Sequence, residues 1–152
     1  MVSTRSFLSA ALVASVVLAA CGGSDSGTSA DSHVATQVEA TDAEGVRVVP
    51  PTQAAATIAD SPEDLVILDV RTKEEFDEGH IEGAVLLDFS RDDFAEELAK
   101  FDPDVPYVLY CRSGNRSSGT REIMVDLGFR SVEDVDGGIV GWQAAGLPLI
   151  AG

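Results

Sequence analysis

At 152 residues the chain suffices for one ordinary domain and is too short for two. Its composition is globular, 45% hydrophobic and 24% charged, and a formal net charge of -16 argues against nucleic acid and against charge-driven adhesion to an anionic membrane. Its two cysteines, Cys21 and Cys111, lie in unlike contexts without a second Cys or a His nearby, which argues against a zinc site and against their pairing.

In chain order, residues 1–20 read as a signal peptide. Arg5 supplies a short positive start, and Phe7 to Ala20 form a run of 14 apolar and small residues. A spanning helix needs about 20, so the run predicts a signal core rather than a membrane span. Leu18-Ala19-Ala20-Cys21 closes it, which resembles the lipobox of bacterial lipoproteins. That resemblance implies cleavage before Cys21, acylation there, and a lipid anchor on the extracytoplasmic side of the membrane, facing a periplasm or the cell surface. The alternative is a plain secretory peptide that leaves Cys21 as a thiol. Residues 21–44 hold Gly, Ser, Thr, Asp and Ala with no aromatic residue. Such a segment buries too little to offset its ordering entropy and is expected to be a flexible tether. His33 within it is read as solvated.

Residues 45–152 are read as the folded domain. Val46–Val49 is a β-branched run, followed by Pro50-Pro51 and an Ala-rich stretch suited to a helix that starts at a proline. Leu65–Val70 is a continuous apolar run of the kind found in parallel strands covered on both faces. Thr72 can cap a short helix through Phe76, with Glu74 and Glu75 at its positive end. Ala84–Leu87 predicts another strand. In Arg91–Lys100 and just beyond, Phe94, Leu98 and Phe101 fall at helical spacing. Strand Val105–Tyr110, helix Ser117–Leu127 ended by Gly128, strand Ser131–Val135 and helix Gly138–Ala145 complete the pattern. Repeated strand–helix alternation with short connections predicts an α/β fold with a mainly parallel sheet.

The chemistry concentrates in Cys111-Arg112-Ser113-Gly114-Asn115-Arg116-Ser117. A buried strand delivers Cys111 to the carboxyl edge of the sheet, where open α/β folds bind ligands. Gly114 permits tight curvature, so the amides of residues 112–116 can converge on one centre as an anion nest. A helix N-terminus follows, and it adds positive potential. These features, with Arg112 and Arg116, favour thiolate over thiol, for which such settings lower the pKa from about 8.5 to roughly 3.5–7.5. The competing reading is a small apolar residue ending a buried strand. Against it stand an idle thiol in a chain read as exported and the crowding of Arg112, Arg116 and Arg121 close behind Cys111.

Cys111-Arg-Ser-Gly-Asn-Arg116 resembles the six-residue active-site loop of rhodanese-type sulfurtransferases. Asp69-Val70-Arg71 with Glu74, Phe76 and Gly79-His80-Ile81 resembles the family's first signature. Asp136-Gly137-Gly138 with Trp142 and Gly146-Leu-Pro148 resembles its C-terminal one. The likeness covers roughly residues 45–150. It implies a five-stranded, mainly parallel sheet flanked by helices. It also implies that Cys111 is the nucleophile and persulfide carrier, cradled by residues 112–116. Arg112 and Arg116 would orient a small anionic sulfur donor such as thiosulfate, and a thiol or cyanide-like acceptor would remove the sulfur. No metal or organic cofactor is implied. Asp69, Arg71 and Ser117 are expected to support neighbouring loops, His80 a turn, and Trp142 the core.

Two other functions stay open on the sequence. A non-turnover relay or sulfane-sulfur-binding module needs the same reactive thiol. A Cys-loop phosphatase or arsenate reductase is disfavoured, because those loops place five residues between Cys and Arg. Here only Arg112 to Asn115 intervene, which makes a narrower nest suited to one sulfur atom.

Overall fold

The computed structural model describes residues 41–43, 45–60 and 62–152. The segment read as a signal peptide, Cys21, His33 and nearly all of the segment read as a tether lie outside these residues. The elements are β1 (Thr41–Ala43), β2 (Val46–Val49), α1 (Pro51–Asp60), β3 (Val66–Asp69) and α2 (Lys73–Glu78). They continue with β4 (Val85–Leu86), α3 (Phe94–Leu98), β5 (Tyr107–Tyr110), α4 (Asn115–Asp126), β6 (Val132–Val135) and α5 (Gly138–Ala144).

The sheet order is β1-β2-β6-β5-β3-β4. The five strands from β2 to β4 pair in parallel, which is the expected sheet. One strand is additional: β1, at the end of the segment read as tether, pairs antiparallel with β2 at the sheet edge.

Both faces of the sheet are covered, and period-two alternation sorts side chains between them. Leu68, Tyr107, Leu109 and Cys111 join Phe94, Leu98 and Met124 in one core, under α3 and α4. Ile67, Val108 and Tyr110 join Ala54, Ile139 and Trp142 in the other, under α1 and α5. All four residues of β5 are buried, as a central strand requires. Trp142 is core as expected, and its Nε1 donates to Pro148 O at 2.9 Å.

Local signals set the element starts. Thr72 closes a capping box on α2: its hydroxyl accepts from Glu75 N at 3.4 Å, and the Glu75 carboxylate accepts from Thr72 N at 3.1 Å. Helix α3 is shorter than the Arg91–Lys100 span, though Phe94 and Leu98 do face the core. Helix α4 begins at Asn115, two residues before the expected start at Ser117. Gly114, at φ 106°, turns the chain straight from the loop into the helix.

Candidate active site

The end of β5 leads directly into the loop. Cys111 is 1% exposed, and the Gly114 amide donates to its Sγ at 3.1 Å. Ser117 Oγ lies 3.6 Å from the sulfur, accepting from the thiol, and donates to Gly114 O at 3.1 Å. Burial opposes ionisation of Cys111. Hydrogen bonds from the Ser117 amide and hydroxyl and from the Gly114 and Ser113 amides outweigh it, so the pKa lies below its ordinary value. The Ser117 amide thus joins the cradle from beyond the expected 112–116 run, because α4 starts early enough to aim it inward.

Helix α5 supports the loop from its other side. Ile139 N donates to Cys111 O at 2.9 Å and Val140 N to Arg112 O at 3.2 Å. Gly138 makes this approach possible: a Cβ there would stand 2.4 Å from Cys111 O. Sequence reading noted the Asp136-Gly137-Gly138 motif without assigning Gly138 this contact, since contact between two backbones leaves no side-chain signal.

The two loop arginines part company. Arg112 is exposed on the wall of a cavity of about 570 Å³ that also touches Arg71, Glu75, Glu78, Ile139 and Val140. Arg116 is instead held by Glu75, through Nη1 at 2.7 Å and Nη2 at 2.9 Å. That pairing holds the Glu75 carboxyl down at about 2, against a smaller upward push from burial. Ser113 and Asn115 are exposed, and Asn115 opens α4. Cys111 lies beneath this surface rather than on the cavity wall.

Asp69 and Arg71 form a buried fork. Arg71 Nη2 reaches Asp69 Oδ2 at 2.6 Å, and its Nε lies 3.0 Å from both carboxylate oxygens. The same guanidinium donates to Gly79 O at 2.8 Å and lies 5.5 Å from the centre of the Tyr110 ring. Burial disfavours the Arg71 cation, yet Asp69 more than compensates and its pKa is raised. His80 stacks on Phe76 at 3.7 Å, and its Nδ1 lies 3.0 Å from Phe76 O, so that nitrogen carries a proton. Backbone bonds of 2.9 Å in both directions tie His80 to Ile150. Asp69 and Arg71 therefore brace the loops beside Cys111, and His80 braces a turn.

Among acids and bases near the sulfur, sequence reading missed the pairing of Glu75 with Arg116 and passed over Asp134. The one available signal for Asp134 was its place, with Glu133, inside a run that otherwise reads as a buried strand.

Comparison with known proteins agrees with this geometry. The family model described as Rhodanese-like domain matches residues 51–145, more than half of the chain. The thiosulfate sulfurtransferase GlpE of Pseudomonas savastanoi pv. phaseolicola is 38% identical over 96 residues, covering 63% of this chain and 86% of that protein. The GlpE of Pseudoalteromonas translucida is 35% identical over 83 residues, covering 55% of this chain and 77% of the relative. The crystal structure of a rhodanese-related protein from Thermoplasma volcanium superposes with a TM-score of 0.60 at 26% identity, covering 71% of this chain and 98% of the other. A parallel sheet that ends in a cysteine cradled at the start of a helix thus carries a family signature over most of its length, and the chain belongs to the rhodanese-like domain family.

Proposed function

We propose that the protein is a sulfurtransferase that moves sulfane sulfur from a donor such as thiosulfate to a thiophilic acceptor through a persulfide on Cys111. The observation that carries this reading is the Gly114 amide 3.1 Å from a buried sulfur whose pKa is lowered at the start of α4. Two relatives that bear the name thiosulfate sulfurtransferase add support.

The Cys111 thiolate attacks the outer sulfur of the donor. An Sγ–S bond forms, the donor S–S bond breaks, and with thiosulfate the sulfite leaves with the bonding pair. The persulfide anion then occupies the nest, whose amides are already oriented and need no reorganisation. An acceptor nucleophile attacks the terminal sulfur, the S–S bond breaks, and the Cys111 thiolate returns. Arg112 orients the donor from the cavity wall. Arg116, engaged by Glu75, acts mainly by holding the loop.

Intact mass of the protein before and after thiosulfate, and then after cyanide, tests the reading. The expected result is a gain of one sulfur that cyanide removes as thiocyanate and that Cys111→Ser abolishes. No gain from thiosulfate or polysulfide would overturn it. Steady-state turnover with a small acceptor separates an enzyme from a relay that only holds the sulfur.

For location, the lipobox-like Leu18-Ala19-Ala20-Cys21 supports a lipid-anchored domain outside the cytoplasmic membrane. Labelled palmitate should enter the protein in a bacterial host, and Cys21→Ser should remove the label. Equal labelling of that variant would overturn the anchor.

A further inference from the structure

The cavity beside the cysteine loop is far larger than a small sulfur donor needs. Its volume of about 570 Å³ falls within the roughly 300–1,000 Å³ of clefts that enclose organic ligands. A thiosulfate or cyanide ion fills a small part of it. Most of the lining therefore has no role in loading Cys111.

The charged groups on that lining are of two kinds. Arg71 and Glu75 are already engaged: Arg71 donates to Asp69 and to Gly79 O, and Glu75 accepts from Arg116 and from Thr72 N. Glu78 at the end of α2 and Arg112 in the loop are exposed. Neither side chain has a hydrogen bond or ion pair among the described residues. The cavity thus offers an unengaged anion and an unengaged cation.

Helix α5 and the segment after it add an apolar wall of Ile139, Val140 and Leu149, on which Val140 is 51% exposed. The wall is fixed beside the loop cation, because Val140 N donates to Arg112 O at 3.2 Å. Gln143, three residues further along α5, brings an amide that can both donate and accept.

We propose that this cavity is the acceptor subsite, and that the acceptor is a short peptide-type thiol with an ammonium group at one end and a carboxylate at the other. Glu78 takes the ammonium group and Arg112 the carboxylate, through charge-assisted hydrogen bonds. The wall of α5 covers the methylenes between them, and Gln143 meets a peptide group. The proposal rests on the reading of Cys111 as the sulfur carrier. Sulfite leaves before the acceptor arrives, so Arg112 serves the donor first and the acceptor afterwards. The depth of the sulfur also favours a small acceptor. Cys111 is 1% exposed, so the attacking thiol must enter the cavity rather than approach on a flat protein surface.

The transfer balances without an oxidant or reductant. The acceptor sulfur bonds to the terminal sulfur of the persulfide anion. The Sγ–S bond breaks, and its electron pair returns to Cys111 as thiolate. The acceptor's thiol proton ends on the transferred sulfur, and the acceptor leaves as a persulfide.

The test uses the whole chain, loaded with thiosulfate (or with polysulfide for a variant that loads slowly) and freed of excess donor. Unloading is followed by intact mass with three probes that share one reacting thiol. These are glutathione, its N-acetyl form, which lacks the ammonium group, and its glycine ethyl ester, which lacks the carboxylate far from that group. The wild type should unload to glutathione about two- to fivefold faster than to either derivative, the range of exposed ion pairs. Glu78→Gln should abolish the preference over the N-acetyl form and keep the preference over the ester. Arg112→Gln should do the reverse. Both substitutions are at exposed positions, where the fold tolerates change.

Equal unloading of the wild type to all three thiols, or to none, would overturn the subsite. So would either preference surviving the substitution that should remove it. These failures leave sulfur loading of Cys111 intact. If the wild type gains no sulfur at all, the sulfurtransferase reading falls and the subsite falls with it.

Discussion

The guanidinium of Arg116 closes on the carboxylate of Glu75, 41 residues earlier, through two hydrogen bonds of 2.7 and 2.9 Å. This pair joins the cysteine loop to the capping box of α2, since Glu75 also accepts from Thr72 N. It also makes a pH signature. The folded-state pKa of Glu75, about 2, lies below its ordinary 4.5, so the associated stability is present above about pH 4.5 and is lost as pH falls toward 2. Urea midpoints measured across that range should fall for the wild type and fall less for Glu75→Gln. At neutral pH the variant should be less stable by about 1 kcal/mol or less, because each side chain is about a quarter exposed. Parallel acid profiles for the two proteins would remove Glu75 as the cause.

Gly138 admits no side chain. Its φ is +57°, and a Cβ would meet Cys111 O at 2.4 Å and Arg112 O at 2.8 Å. Gly138→Ala should cost roughly 2 kcal/mol or more by urea unfolding and should slow sulfur loading of Cys111, since the loop itself must move. Gly146→Ala, with φ +72° and no atom within 4 Å, carries backbone strain alone and should load sulfur at the wild-type rate. Equal loading rates in both variants would mean that α5 does not position the loop.

Asp69 is fully buried, and among the described residues Arg71 is the cation that forms a salt bridge with it. Arg71→Met leaves that carboxylate uncompensated and should destabilise the domain by about 3–5 kcal/mol. Adding Asp69→Leu should recover most of the loss, because the pair braces loops rather than reacting. If the single and double variants unfold at the same urea concentration, the buried charge is not the source of the loss.

Arg112 has no acidic partner among the described residues, so it is the loop cation free to meet a donor. Arg112→Ala should lower kcat/KM for thiosulfate by up to about fivefold, the range of an exposed ion pair. Screening acts over about 8 Å at physiological salt, so added salt should change donor affinity only modestly in the wild type. A loss on the order of tenfold between low and physiological salt would show that the long-range field, rather than the pocket, governs recognition.

Much of this was readable in one dimension. The apolar runs around Ile67, Val108 and Val135, broken by capping and turn residues, identify strands and order them along the chain. The spacing of Cys111, Gly114 and Arg116 marks a tight loop between a buried strand and a helix. These features are local: alternation, caps and tight turns involve residues a few positions apart, and the chain order alone displays them. The length of α3, the start of α4 and the edge strand β1 were less legible, because element ends depend on what packs against them.

What tertiary structure alone decided is which charges meet. Sequence counts Arg112, Arg116 and Arg121 as one basic cluster behind Cys111. Folding sends Arg116 to Glu75 on α2, buries Arg121 against Asp134 on β6, and leaves Arg112 on the cavity wall. Sequence determined that a cysteine ends a buried strand in a parallel α/β domain. The fold determined which neighbours set its proton affinity, because ion pairing falls off over a few ångströms and those distances join residues far apart in the chain.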